Sequence, residues 1–62
     1  MPFVQFEVWC LDDGREELVD TVATLKEAEA IAENKREFCD EVYIVKDADG
    51  FDPIEVKRYK GL

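Results

Sequence analysis

The chain has 62 residues, of which 47% are apolar and 39% charged, and it carries a formal net charge of −8. This length allows a single domain over residues 1–62, and the apolar content is sufficient for a folded core rather than a disordered chain. The negative charge disfavours direct binding to nucleic acid phosphates or to anionic membranes and favours contact with a basic protein surface.

The first predicted strand lies in the stretch FVQFEVWCL, residues 3–11, where apolar side chains alternate with the others. The alternation predicts one buried face, made of Val4, Phe6, Val8 and Cys10. Asp13-Gly14 follows, and both residues tolerate the positive φ angles of a tight hairpin turn. A return strand is therefore predicted over residues 16–23.

A helix is predicted from Leu25 to Phe38. TLKE, residues 24–27, has the pattern of a capping box, in which the Thr24 side chain accepts from the amide of Glu27. Apolar residues at helical spacing predict the face that packs on the sheet: Leu25, Ala28, Ile31, Ala32 and Phe38.

EVYIVKD, residues 41–47, and IEVKRYK, residues 54–60, are predicted to form a second hairpin around Asp49-Gly50. Alternation predicts inward side chains at Val42, Ile44, Ile54 and Val56, and outward side chains at Tyr43, Val45, Glu55, Lys57 and Tyr59. The order ββαββ predicts an α+β fold. We expect a four-stranded antiparallel sheet, in the strand order 2-1-3-4, with one helix packed on one face.

Histidine and serine are absent from the sequence. Their absence removes the Ser-His and Cys-His nucleophile pairs and the imidazole ligands that most zinc sites use. The aspartates of KDADGFDP do not match an EF-hand either, because Val45 and Val56 stand at its first and twelfth ligand positions. We therefore expect a protein that is not an enzyme and that has no cofactor or metal. Thiol-redox chemistry is the competing enzymatic hypothesis.

No apolar run is long enough to cross a membrane, and no signal-peptide pattern precedes the first strand. We therefore expect a cytoplasmic protein without membrane contact. In that compartment Cys10 and Cys39 are expected to be free thiols, and their positions predict that both are at least partly buried.

Five carboxylates form a first candidate binding surface, which we call the acidic ridge: Glu29, Glu33, Glu37, Asp40 and Glu41. Helical residues four apart lie one turn apart, so the first three carboxylates repeat every ~6 Å. Such like-charged neighbours cost about 0.2–0.5 kcal/mol per pair on an isolated helix. The row has a spacing similar to that of DNA phosphates and could occupy the basic channel of a nucleic-acid-binding protein. The simpler interpretation is a solvated helix face.

Aromatic residues predicted on the sheet face away from the helix form the alternative binding surface: Phe3, Trp9, Tyr43 and Tyr59. Tyrosine and tryptophan are common at protein interfaces, so this face suits a homodimeric or regulatory interaction module. Exposed aromatics on a sheet also stack on single-stranded bases, but the acidic charge opposes that function.

The leading prediction is a small acidic binding protein that occupies a basic surface of a partner protein through the acidic ridge. Three of the eight basic residues lie in the last six positions, which leaves an acidic body and a basic tail. In size, charge and layout the chain resembles small inhibitors and accessory proteins encoded by phages and mobile elements, some of which imitate DNA. This resemblance implies an inhibitor that mimics nucleic acid.

Overall fold

The computed structural model describes residues 4–62 and contains one four-stranded sheet with a helix on one face. The elements in chain order are β1 (Val4–Asp12), β2 (Arg15–Val22), α1 (Leu25–Lys35), β3 (Glu41–Ala48) and β4 (Ile54–Lys60). The strand order is β2-β1-β3-β4, and every neighbouring pair is antiparallel. The predicted α+β fold, its ββαββ order and its strand order are confirmed.

Local sequence signals set the first hairpin turn and the start of α1. Asp13 and Gly14 have φ angles of 51° and 77°, as a two-residue type I′ turn requires. Thr24 Oγ1 accepts from the backbone amide of Glu27 at 3.2 Å, and its hydroxyl donates to Glu27 Oε1 at 3.0 Å. This cap satisfies a helix amide that has no partner inside the helix.

The helix ends at Lys35, three residues before the predicted end at Phe38. The amide of Phe38 donates to the Lys35 carbonyl oxygen in a tight turn, 3.0 Å. The Arg36 carbonyl oxygen instead accepts from the amide of Leu62, also at 3.0 Å, and the Arg36 Nε donates to the Lys60 carbonyl oxygen at 2.8 Å. Docking of the C-terminal residues thus replaces a further helical turn.

The core lies between α1 and the middle of the sheet and contains Val8, Ala28, Ala32, Cys39, Val42, Ile44 and Tyr59. Five residues predicted to face inward lie at the surface instead, namely Val4, Leu25, Phe38, Ile54 and Val56. The 11 residues of α1 span only about 16 Å, whereas a nine-residue strand such as β1 spans about 30 Å. Because the helix is short, the ends of the sheet remain uncovered.

Two β-bulges change which side chains face α1. The β1–β2 register shifts between Val8 and Trp9 and leaves Val19 unpaired, while the β3–β4 register shifts between Ile44 and Val45 and leaves Val56 unpaired. An extra residue reverses the alternation of side chains along the rest of a strand. The predicted facing of β4 is therefore wrong beyond its bulge.

Cys10 and Cys39 form a disulfide, which corrects the expectation of free thiols. The end of β1 and the chain after α1 meet at the same end of the sheet, where the two Cα atoms lie 5.8 Å apart. The amide of Asp40 donates to the Leu11 carbonyl oxygen at 2.9 Å, and this hydrogen bond also holds the end of β1 close to the chain after α1. Cys39 is buried and Cys10 half-buried, as predicted.

Gly61 allows the C-terminus to pack against the backbone of Cys39 and Asp40. Its amide donates to the Asp40 carbonyl oxygen at 2.7 Å. A Cβ atom at this position would collide with the Cys39 carbonyl oxygen and would lie 2.9 Å from that of Asp40. The close backbone approach therefore requires glycine.

Candidate interaction surface

Ion pairs within the molecule neutralise part of the acidic ridge. Glu29 Oε2 lies 2.7 Å from the ammonium of Lys57, which reaches α1 from β4. Glu33 Oε2 lies 3.3 Å from Arg36 Nη1. The hydrogen bond with Glu29 raises the pKa of Lys57, because it favours the charged ammonium. Both carboxylates therefore already have a cationic neighbour.

The next two ridge residues lie beyond the end of α1. The helix ends at Lys35, so Glu37 belongs to the turn that follows. Asp40 Oδ2 accepts a 3.1 Å hydrogen bond from the backbone amide of Asp13 and so joins the acidic tip of the β1–β2 hairpin. The regular one-turn spacing of carboxylates is confined to the helical part of the predicted ridge.

The sheet face opposite α1, which we call the outer face, carries a row of side chains across all four strands. The row, here called the outer row, follows the strand pairing and consists of Leu18, Trp9, Tyr43 and Arg58. The rings of Trp9 and Tyr43 are within 6° of parallel, with centroids 6.3 Å apart. The guanidinium carbon of Arg58 lies 4.7 Å from the Tyr43 centroid, a distance typical of a cation–π contact.

Of the four aromatic residues predicted for this face, the structure brings Trp9 and Tyr43 together there. Tyr59 instead pairs with Val42 and is buried on the α1 side of the sheet, because the bulge at Val56 reverses its facing. Phe3 lies outside the described residues.

Sequence reasoning missed Leu18 and Arg58, the two ends of the outer row. Leu18 keeps 46% of its surface exposed on the edge strand β2. The only signal for it was the adjacent pair Leu18 and Val19 in a strand of mostly polar residues, of which Val19 packs against the core. Arg58 faces outward because of the bulge in β4, and no residue in the sequence indicates that bulge.

Carboxylates surround the outer row, and the strand register places them on the same face: Glu7, Glu16, Glu41 and Glu55. The Trp9 indole Nε1 donates to Glu7 Oε1 at 3.1 Å. The Arg58 guanidinium lies 2.6 Å from Glu55 and 3.4 Å from Glu41. An aromatic centre with a carboxylate rim is the result.

Contacts within this face shift three pKa values. Burial, followed by the neighbouring Glu16 carboxylate, raises the pKa of Tyr43. The hydrogen bonds from Arg58 lower the pKa of Glu55, and the same bonds raise the pKa of Arg58. These are the directions expected when burial penalises a phenolate and an ion pair stabilises both charges.

Two cavities lie outside the Trp9–Tyr43 pair, and the first of them is lined in part by Leu18. A cavity of about 380 Å³ lies beside the disulfide, next to Lys35 and Phe38, and another of about 330 Å³ lies next to Phe51 and Ile54. Within residues 4–62, no three His, Cys, Asp or Glu side chains come together as metal ligands would. In the same part of the chain, no helix has both the length and the apolar character needed to cross a membrane.

Comparisons of the chain with models of protein families, with curated proteins and with solved structures give no match.

Proposed function

We propose that this chain is a non-enzymatic binding protein that engages a basic surface of a partner protein through the outer face of its sheet. The observation that carries the proposal is the outer row, in which Trp9 stacks on the buried Tyr43 and is flanked by exposed Leu18 and by Arg58. Aromatic and arginine side chains of this kind anchor protein interfaces. The helix leaves this face of the sheet uncovered.

The rim of the outer face favours a partner that presents cations around an apolar centre. Glu7 and Glu16 lie on the outer face together with the aromatic pair, as does the ridge residue Glu41, which is paired with Arg58, and the whole chain carries a net charge of −8. Complementary charge speeds encounter and excludes wrong partners. The same field repels phosphates, which supports a protein partner over single-stranded nucleic acid.

The proposal differs from the ridge prediction in the surface used. A protein that imitates DNA through α1 would present a row of available carboxylates, but Glu29 and Glu33 each lie in an ion pair. Exposed ion pairs are weak, at about 0–1 kcal/mol, so a partner with a strongly basic channel could still displace them. An inhibitor that uses the ridge is therefore the second candidate, and the same experiment separates the two.

The test is affinity capture from lysate of the source cells, with three variants compared against the unmodified chain. Leu18→Glu places a charge in the outer row, and Phe51→Glu places the same charge on the β3–β4 turn, where Phe51 is 75% exposed. A triple variant replaces Glu29, Glu33 and Glu37 with glutamine. We expect Leu18→Glu to lose the captured protein and the other two variants to keep it, with elution by salt.

If the triple variant lost the captured protein and Leu18→Glu kept it, the binding surface would be the acidic ridge and not the outer face. Circular dichroism of each variant controls for folding.

The cytoplasmic location expected from the sequence remains a proposal, and the disulfide supplies its test. Disulfides in cytosolic proteins are mostly transient or redox-sensing. Alkylation inside intact cells followed by mass spectrometry should then find part of the Cys10 and Cys39 population as labelled thiols. A fully bonded population would contradict a cytoplasmic location.

A further inference from the structure

The two edge strands of the sheet carry opposite charge. β2 forms one edge and has three acidic residues and one basic residue: Glu16, Glu17, Asp20 and Arg15. β4 forms the other edge and has three basic residues and one acidic residue: Lys57, Arg58, Lys60 and Glu55. Neither edge pairs with another strand on its free side within residues 4–62. A free edge offers a ladder of unpaired backbone groups to an incoming strand.

We propose that β4 of one copy of the chain pairs with β2 of a second copy, so that the sheet continues from molecule to molecule. The directions of the strands allow it. β2 runs antiparallel to β1, and β4 runs parallel to β1 because two antiparallel pairings separate them. β2 and β4 are therefore opposite in direction, and copies that keep the same orientation present them to each other as an antiparallel pair.

The side chains fit when each row of the sheet continues into the next copy. In that register Lys60 faces Glu16 of the second copy on the outer face. On the α1 side Lys57 lies diagonally across from its Asp20, because the extra residues Val19 and Val56 stand between them. These pairings follow from the rows Glu16–Leu11–Glu41–Lys60 and Asp20–Val8–Ile44–Lys57. Directly opposed unlike charges stabilise neighbouring strands, whereas like charges destabilise them.

The remaining positions of the same register bring no like charges together. Leu18 meets Arg58 at the end of the outer row, and Val22 meets Ile54, which is 60% exposed in the single molecule. Lys57 already binds Glu29, but an ammonium group has three donors and can bind two carboxylates.

The charges also select this pairing against the others. Two β2 edges would repel each other, and so would two β4 edges, so only the mixed pairing is attractive. A contact between two different surfaces does not close on itself, and it therefore produces an open chain rather than a dimer. Neighbouring strands twist by about 20–25°, so successive four-stranded copies turn by about a quarter turn and their helices wind around the chain.

The test is sedimentation velocity from micromolar to millimolar protein at low salt, with two charge-reversed variants. Glu17→Lys with Asp20→Lys makes both edges basic, and Lys57→Glu with Lys60→Glu makes both edges acidic. We expect the unmodified chain to form species that lengthen with concentration, and each variant alone to remain monomeric. An equal mixture of the two variants should associate again, because each then offers the edge that the other lacks.

A matched control for the β2 variant, Glu37→Lys with Asp52→Lys, makes the same change in net charge away from both edges, and we expect it to associate like the unmodified chain. Three results would overturn the proposal: an unmodified chain that is monomeric throughout, a variant mixture that does not associate, or a dimer that stops at two copies and survives the β2 substitutions. Circular dichroism of each variant shows that the sheet is formed, and recovery in the mixture excludes a folding defect as the cause of lost association. The proposal does not rest on the outer face as a partner site.

Discussion

Tyr59 brings an aromatic ring into the core beside Val42 on the neighbouring strand. Two cations lie over its ring, the Lys57 ammonium at 5.1 Å and the Arg36 guanidinium at 5.9 Å from the centroid. The polar parts of both side chains remain near solvent while the ring fills space between β4 and the end of α1. Tyr59 thus joins the last strand to the helix, together with the Lys57–Glu29 ion pair.

Replacing Tyr59 with alanine should lower the free energy of unfolding by about 3–5 kcal/mol, as for other large-to-small changes in cores. Val56→Ala should cost less than about 1 kcal/mol, because Val56 is the half-exposed extra residue of the bulge. Urea melts of the two variants measure the difference. A larger loss for Val56→Ala would mean that β4 has no bulge and faces the other way.

Tyr43 makes the stability of the fold depend on pH in the alkaline range. Its pKa is raised above 10.0 by burial and by the neighbouring Glu16 carboxylate, so the folded chain holds the phenolic proton more tightly than the unfolded chain. The resulting stabilisation is complete below pH 10 and is lost as the pH rises through the raised pKa. In thermal melts above pH 10, the melting temperature of the unmodified chain should therefore fall more steeply with pH than that of Tyr43→Phe. Equal slopes would show that the Tyr43 hydroxyl does not titrate differently in the two states.

At the scale of the elements, alternation and caps predicted where strands and helix lie but not which way every strand faces. Val8, Val42 and Ile44 were assigned inward correctly because β1 and β3 are central strands with regular alternation between them. The bulges at Val19 and Val56 occur at β-branched residues, which do not differ from ordinary strand residues in the sequence. Each bulge appears only when an edge strand has to fit the twist of its neighbour, and this is why Tyr59 and Leu18 were misplaced or missed.

The disulfide links β1 to the turn after α1. The two cysteines are 29 residues apart in the sequence. Closing a loop of this length restricts the unfolded chain and should contribute about 3–4 kcal/mol. Cys10→Ala with Cys39→Ala should reduce the free energy of unfolding by this amount. Dithiothreitol should destabilise the unmodified chain to a similar extent and leave the double variant unchanged. A response of the double variant to reductant would contradict this assignment.

At the scale of the whole molecule, the strand order follows from two hairpins joined by one helix, which places β1 beside β3 at the centre of the sheet. The net charge and the basic tail could also be predicted from the sequence, but the positions of the charged side chains on the folded surface could not. The pairing of Lys57 with Glu29 depends on the bulge in β4, and the position of Glu37 depends on where the C-terminus docks. For this reason the sequence pointed to the helix as the binding surface, whereas the contacts favour the outer face.

If the outer face binds the partner, the indole N–H of Trp9 is the most direct probe of that contact. Trp9 is the single tryptophan of the chain, so its indole gives one identifiable signal in a nitrogen-correlated NMR spectrum of isotope-labelled protein. During titration with the captured partner, we expect the Trp9 indole and Arg58 Nε signals to shift together while the amide signals of α1 remain in place. Unchanged Trp9 and Arg58 signals, with shifts confined to the helix around Glu29 and Glu33, would contradict binding at the outer face.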